Sequence, residues 1–298
     1  MDRKRLVTSH WGVTLAAILG RLLPLRSGLA LADWLAERFA SKPESADVQA
    51  VRFNQQMLEG GRLSPEELDA RVRAVFRNSA RGVAEVLYYQ YRPAKLMRRV
   101  DANQAMQGYV RLTQEQQRGL VFTCPHTGNY DLAGRALGLL GLRALILAEP
   151  SPRADYNYQN RLRRQTGLTI RTISMESLRE AAGFLEQGGS VLTGVDWPVG
   201  EARYRPRFCG APSLLPTAHI RLAVKVQAPV VVVACHRRAD GRYYIDSSEP
   251  IPLRVGRTMP ETILSNTEAV LEVVERFVRQ DPAQWLLYQP VWENHEPK

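Results

Sequence analysis

A histidine and an aspartate share one short loop in the middle of the chain. An apolar run over 120–125 is followed by His126 and, five positions later, by Asp131. Gly128 permits a tight turn between them, and Asn129 is suited to cap the helical pattern that follows. An imidazole acts as a base near neutral pH when a carboxylate orients it. The spacing therefore predicts His126 as a general base and Asp131 as its orienting group.

Cys124 offers a second chemistry for the same loop. It lies two residues before His126, so alternation along a strand places both side chains on one face. A thiolate beside an imidazole can form a covalent acyl intermediate. A serine nucleophile is excluded in its usual form, because no Gly-x-Ser-x-Gly motif occurs. A purely structural His–Asp hydrogen bond is the third interpretation.

Groups that could bind an anion lie further along the chain. The stretch 153–171 holds five arginines and one acidic residue. Arg161 and Arg164 are three residues apart, so they share a face of a helix, and a guanidinium binds two phosphate oxygens at once.

Asp196 ends an apolar run, as His126 does. In a parallel sheet both would emerge at the same edge, where open α/β sheets bind ligands.

The elements that must position these residues alternate between strands and helices. Strands are predicted at 120–125, 143–148, 168–174, 190–195, 229–235 and 242–247, and helices at 130–141, 154–165, 175–187, 217–227 and 260–279. Such alternation predicts an α/β fold with a mostly parallel central sheet flanked by helices. The preceding stretch 46–91 reads as helical, with Ser64 as a cap and Pro65 at a first helical position.

Composition limits the class of partner. The chain has 298 residues, 45% of them hydrophobic, and a formal net charge of +10. This charge favours phosphate-bearing partners such as an anionic membrane or an acidic carrier. No nucleic-acid recognition motif occurs, so we expect no nucleic acid. Three cysteines without a C-x-x-C pair argue against a zinc site and weakly for a reducing compartment, and neither a metal nor a cofactor is expected.

The first 45 residues differ in pattern from the rest. An apolar stretch from Trp11 to Gly20 is followed by Arg21, further leucines and Arg26. No run reaches the roughly 18 apolar residues needed to span a bilayer, and the arginines interrupt the pattern of a signal peptide. We expect an amphipathic helix in the membrane interface, with an ordinary core helix as the alternative. The predicted organisation is a membrane-associating helical segment, 1–45, and an α/β domain, 46–298.

Four blocks in order resemble the bacterial lipid A biosynthesis (late) acyltransferase family, within the wider glycerolipid acyltransferase group. This family includes lauroyl and myristoyl transferases and phosphatidylinositol mannoside acyltransferases. The first block is the His-x-x-x-x-Asp loop, and the fourth is Asp281–Tyr288, with its Gln-Trp pair. In the second block, family members carry an Asn and then an Arg shortly before a Gly. Asn157 and Arg164 match this pattern best, with Asn160 or Arg161 as alternatives. In the third, Asp-x-x-x-Gly matches Asp196 and Gly200, and Cys209 departs from the aromatic usual after Phe208.

The resemblance implies a membrane-associated acyltransferase at the cytoplasmic face of the inner membrane. It would move a fatty acyl chain from an acyl-carrier-protein or coenzyme A thioester to a hydroxyl of a glycolipid like a lipid A precursor. Alternatives are a phosphatidylinositol mannoside or other phospholipid acceptor, a thioesterase, or a basic membrane-binding protein. The implied catalytic residues are His126 and Asp131, and the implied substrate-binding residues are Asn129, Asn157, Arg161, Arg164, Asp196 and Gly200.

Overall fold

One seven-stranded sheet is the centre of the α/β fold. The computed structural model describes residues 10–115, 119–150, 154–199 and 203–293. The strands are β1 (Val100–Ala102), β2 (Val121–Cys124), β3 (Ala144–Ala148), β4 (Thr169–Thr172), β5 (Ser190–Gly194), β8 (Val230–Arg237) and β9 (Tyr243–Ser247), with a separate two-stranded β6 (Arg207–Phe208) and β7 (Ala211–Pro212). Their order is β1-β9-β8-β2-β5-β3-β4, and neighbours run parallel except β8 and β9. The prediction of a mostly parallel sheet is confirmed.

Helices cover both faces of this sheet. They are α1 (His10–Leu22), α2 (Leu25–Ala40), α3 (Ala46–Leu58), α4 (Pro65–Tyr89), α5 (Pro93–Met97), α6 (Gln104–Glu115), α7 (Tyr130–Leu139), α8 (Ala154–Arg164), α9 (Met175–Glu186), α10 (Ala218–Val226) and α11 (Met259–Gln280). A short 3₁₀ turn, Pro282–Gln284, follows α11. The helix cap predicted at Ser64 is present, and the structure adds a capping box in which Glu67 is the partner.

Alternation along the central strands divides the core into two layers. Val121 belongs to the layer beneath α9, α10 and α11, whereas the next residue, Phe122, belongs to the layer beneath α6 and α7. Both side chains are fully buried. A strand buried on both faces reads as a continuous apolar run rather than as an alternating one. This double burial holds the carboxyl end of β2 rigidly in the middle of the sheet.

The N-terminal helices pack on α4 and leave an apolar surface outside. Gly20 of α1 approaches Leu87 so closely that a Cβ there would lie 2.6 Å from the leucine Cβ. Arg81 of α4 donates to both carboxylate oxygens of Asp33 on α2, at 2.5 and 2.6 Å. The exposed side includes Trp11, Leu15, Leu22, Leu31 and Trp34. Across the described ranges, no helix combines the length and apolar character required to cross a bilayer.

Most predicted elements agree with the structure to within a few residues at each end. Three elements between positions 92 and 119 are absent from the prediction: the short helix α5, the edge strand β1 and the helix α6. β1 has three residues, and it forms by pairing with β9 far along the chain. Its pattern is too short to show a period, so local sequence does not reveal it. The N-terminal amphipathic segment is divided in two by Pro24, which directly precedes α2.

Candidate active site

The loop after β2 is held from the opposite end of the chain. Gly128 adopts a φ of 57°, and a Cβ there would lie 2.4 Å from the carbonyl oxygen of Cys235. Its N–H donates to the carbonyl of Gln284 at 2.9 Å, and the N–H of Leu286 donates to the carbonyl of His126 at 2.8 Å. Only glycine fits both the left-handed conformation and this close approach. The C-terminal segment therefore determines the path of the loop.

His126 is paired with Asp196, not with the aspartate in its own loop. Nδ1 of His126 lies 2.6 Å from Oδ1 of Asp196, and its main-chain N–H donates to Oδ2 at 2.8 Å. The indole N–H of Trp285 donates to the same Oδ2 at 2.8 Å. The Asp196 side chain is fully buried, whereas that of His126 is 21% exposed. Parallel pairing of β2 with β5 brings the two residues together at the carboxyl edge of the sheet.

Each member of the His126–Asp196 pair stabilises the charged form of the other. Burial alone would raise the pKa of the Asp196 carboxyl, but the His126 ring, its main-chain N–H and the Trp285 indole hold that pKa below its ordinary value. Burial alone would lower the pKa of His126, but the charge and hydrogen bond of Asp196 raise that pKa above its ordinary value. An ionised carboxylate only accepts hydrogen bonds, so Nδ1 carries a proton and Nε2 of the neutral ring is the basic atom.

Asp131 occupies a different position from the one predicted. Its carboxylate accepts hydrogen bonds from Arg163 of α8, including one from Nε at 3.1 Å. The expectation that Asp131 orients His126 is therefore corrected, because Asp196 lies at Nδ1. Position 131 is in the first turn of α7, and its side chain turns towards the neighbouring helix α8. Asp131 still contributes to the site, since its negative charge helps to raise the pKa of His126.

The residues of α8 that face the site lie one position earlier in the chain than the predicted ones. Asn157, Arg161 and Arg164 are exposed and share the outer face of the helix. The inner face carries Asn160 and Arg163 instead, and Nη1 of Arg163 donates to Oδ1 of Asn160 at 2.8 Å. A run of arginines in consecutive positions does not reveal which one faces inward. Asn160, the alternative match, lies on the side of α8 that faces the site, whereas Asn157 lies on the outer face.

The remaining predicted site residues have mixed outcomes. Asn129 caps α7 as expected, since Oδ1 accepts from the N–H of Leu132 at 3.2 Å. Its Nδ2 donates to the carbonyl of Gly82 at 3.0 Å, so this buried side chain is committed to structure rather than presented to a substrate. Asp196, implied by the resemblance as a substrate-binding residue, is instead bonded to the ring of His126. Gly200 lies outside the described residues.

The cysteine alternative is disfavoured by the environment of the thiol. Burial raises the pKa of Cys124 to about 12, with the Asp196 charge adding to the effect. Its sulfur lies 3.9 Å from the carbonyl oxygen of Thr193, in the range of a weak hydrogen bond. A thiol that stays protonated at neutral pH is a poor nucleophile.

The described residues also contain no group of three or more His, Cys, Asp or Glu side chains placed to hold a metal ion.

Two aromatic rings line the exposed side of His126. Tyr130 contacts it edge-on with ring centroids 4.8 Å apart, and Trp197 lies at 5.7 Å. Neither residue was singled out from the sequence, although each is adjacent to a predicted site position. Trp285 was part of a recognised block, but its bond to Asp196 spans 89 positions. These two rings cover part of the His126 side chain and limit the access of water to it.

The mostly parallel sheet carries a carboxylate-paired histidine at its carboxyl edge, with an arginine nearby, and this edge is where α/β proteins bind their ligands. The family comparison is more specific. The profile of the bacterial lipid A biosynthesis acyltransferases matches residues 1–294. The chain belongs to this family, and it is accordingly an acyltransferase. No individual curated protein matches it significantly.

Proposed function

We propose that this enzyme transfers a fatty acyl group from an acyl-carrier-protein or coenzyme A thioester to a hydroxyl of a membrane glycolipid similar to a lipid A precursor. The observation that carries the proposal is the His126–Asp196 pair. Its acidic member is fully buried, and its basic member is 21% exposed and bonded to the carboxylate through Nδ1, which leaves Nε2 for the substrate. A hydroxyl attacks a thioester poorly until it loses its proton, and such a pair removes that proton at neutral pH.

The proposed reaction has two steps. Nε2 of His126 takes the hydroxyl proton while the hydroxyl oxygen bonds to the thioester carbonyl carbon, and Asp196 stabilises the imidazolium that forms. The tetrahedral intermediate then collapses, the carbon–sulfur bond breaks, and the imidazolium returns its proton to the departing sulfur. Asp196 stays ionised throughout, as in other histidine-based acyl transfer.

The oxyanion of the intermediate needs donors. The first N–H groups of a helix have no acceptor within the helix, and α7 starts at Tyr130, beside the catalytic ring. Arg163 has five N–H donors, of which Asp131 and Asn160 engage three. We assign the remaining donors of Arg163 to negative charge on the substrate or intermediate. This is the role that the sequence suggested for Arg164.

Docking to the membrane completes the proposal. The exposed apolar residues of α1 and α2 would enter the interface of an anionic bilayer at the cytoplasmic face of the inner membrane. Trp11 is 86% exposed, Leu22 72% and Trp34 61%, and Arg21 and Arg26 are also exposed. Indole rings and basic side chains together favour the headgroup region of anionic membranes. A lipid acceptor would then reach the site without leaving the bilayer.

The test uses purified protein with labelled acyl-coenzyme A or acyl-carrier protein and mixed bacterial glycolipids. We expect a labelled lipid product that the His126→Ala variant does not form, although this variant still binds liposomes. Consumption of the thioester without a lipid product would identify a thioesterase. Liposome binding with no thioester consumption at all would identify a membrane-binding protein. Mass spectrometry of lipids from a deletion strain then distinguishes a lipid A precursor from a mannosylated phosphatidylinositol.

A further inference from the structure

Arg135 is a buried arginine whose donors are only partly engaged. It lies on α7, four residues after Asp131, and is 4% exposed. Its Nη2 donates to the main-chain oxygen of Gln90 at 3.2 Å. Nε and Nη1 are buried and have no hydrogen-bond partner within the part of the chain that the structure describes. A guanidinium stays charged at all ordinary pH values, so unpaired donors of this kind are costly and call for an acceptor from a ligand.

The carboxylate one helical turn before Arg135 is already engaged. Asp131 accepts two hydrogen bonds from Arg163, both at Oδ1. The amide oxygen of Asn160 also accepts from Arg163, and the hydroxyl of Tyr158 donates to the side-chain oxygen of Gln90. One negative charge therefore serves two arginines. Together, the side chains of Asp131, Arg135 and Arg163 carry a net positive charge.

The surroundings of Arg135 adjoin the N-terminal apolar surface. Arg92, just beyond the end of α4, donates to the carbonyls of Gly20 and Arg21 at 3.3 and 2.8 Å. The guanidinium of Arg21 lies 5.5 Å from the ring centre of Tyr91, which is 53% exposed. The end of α4 thus bridges α1 and Arg135. A ligand whose tail lies along the exposed face of α1 could extend a charged headgroup towards Arg135.

We propose that Arg135, together with Arg163, forms a phosphate-binding subsite that holds a phosphate of one of the two substrates next to the reacting centre. The inference rests on the proposed acyl transfer. A phosphate supplies several strong acceptor oxygens, and a planar guanidinium can bind two of them at once. Such a ligand would satisfy the unpaired donors and balance the second positive charge. The phosphate is carried either by the lipid acceptor or by the donor's coenzyme A or phosphopantetheine group.

The first measurement separates a binding role from a structural one. The variants are Arg135→Met, Arg135→Lys and the control Arg143→Met. Arg143 is exposed and directly precedes β3, at the amino-terminal edge of the sheet, away from the site. Because Arg135 is poorly paired, we expect Arg135→Met to melt at or above the wild-type temperature. A large drop in melting temperature with unchanged kinetics would assign Arg135 to the scaffold and overturn the proposal.

The second measurement identifies the phosphate. KM is determined for acyl-coenzyme A against acyl-pantetheine, and for a phosphorylated glycolipid against its dephosphorylated form. We expect Arg135→Met to raise KM about tenfold or more for the phosphorylated form of one substrate and much less for its phosphate-free form. Arg135→Lys should fall between, and Arg143→Met should match the wild type. Equal changes for phosphorylated and phosphate-free forms would overturn the proposal.

The subsite can also be tested without turnover. Coenzyme A and vesicles containing phosphatidic acid are added separately, and the melting temperature is followed. A ligand that binds only the folded protein raises that temperature. We expect a rise with one of the two probes in wild type and Arg143→Met but not in Arg135→Met. A rise of equal size in all three proteins contradicts the subsite even if acyl transfer is established, and a selective rise supports it even if acyl transfer fails.

Discussion

Oδ1 of Asp196 lies 2.6 Å from Nδ1 of His126 although the residues are 70 positions apart. Asp131, five positions from His126, instead binds Arg163 on the neighbouring helix. The two aspartates therefore act on different groups. One pairs with the histidine, and the other holds an arginine near it.

Replacing each aspartate with asparagine separates these roles. We expect Asp196→Asn to lower kcat about 10²–10⁴-fold, because an amide does not stabilise the imidazolium and can favour the wrong tautomer. Asp131→Asn should cost less in kcat and act more on KM, because it releases Arg163. Steady-state kinetics on both variants, with circular dichroism to check the fold, measures the difference. The reverse order of kcat losses would restore Asp131 as the partner of His126.

The pH dependence of kcat/KM in the wild type should follow the ionisation of His126. The base must be neutral, so kcat/KM should rise with pH through an apparent pKa above the ordinary histidine value of 6.5, because Asp196 raises this pKa. Asp196→Asn removes the charge while burial remains, and burial favours the neutral ring. The rise should then move to lower pH, at a lower plateau. An unshifted profile would show that another group limits the reaction.

Trp285 should matter through its indole N–H. Trp285→Phe removes a hydrogen bond to the buried Asp196 carboxylate, and we expect kcat to fall about 10–100-fold, the order expected for a hydrogen bond to a charged group. Trp292→Phe is a matched control, because that indole lies in the same aromatic cluster but donates to the carbonyl of Phe208. Both variants should lose some stability on urea unfolding. If their kcat values fall equally, the effect is packing alone.

Gly128→Ala should unfold more readily than the wild type. The new Cβ would lie 2.4 Å from the Cys235 carbonyl in a left-handed backbone, so we expect a loss of about 2 kcal/mol or more in the free energy of unfolding. Gly134→Ala in α7 is the control. A Cβ there meets nothing within 4 Å, and helix propensity should make it neutral or slightly stabilising. Urea unfolding of both variants checks the contrast, and equal stabilities would contradict the tight fit at position 128.

Membrane binding should depend on the N-terminal helices. The combined variant Trp11→Ser, Leu22→Ser, Trp34→Ser should float poorly with acidic liposomes, whereas Val255→Ser should float like the wild type. Val255 is 93% exposed but lies outside α1 and α2. Each basic residue at the surface adds about 1 kcal/mol, so high salt should reduce recovery. Equal recovery with neutral liposomes at every salt concentration would remove the electrostatic part of this model of docking.

The elements could be predicted where their signals are local. β3 shows a continuous apolar run, and α4 starts at Pro65 directly after its cap Ser64, which forms a capping box with Glu67. Such signals lie within a few residues, so they are readable without a partner. β1 could not be predicted in this way, since three residues become a strand only through pairing with β9.

The sequence by itself determined the family, the α/β class and the position of His126 after a buried strand, because these depend on residue types and spacings within single blocks. Only the tertiary structure decided which carboxylate pairs with His126, which arginine of α8 faces inward, and that the indole of Trp285 donates a hydrogen bond to that carboxylate. Those choices depend on the pairing of β2 with β5 and on the rotation of one helix. Strand order and helix rotation are determined by burial across the whole core, and no segment encodes them alone.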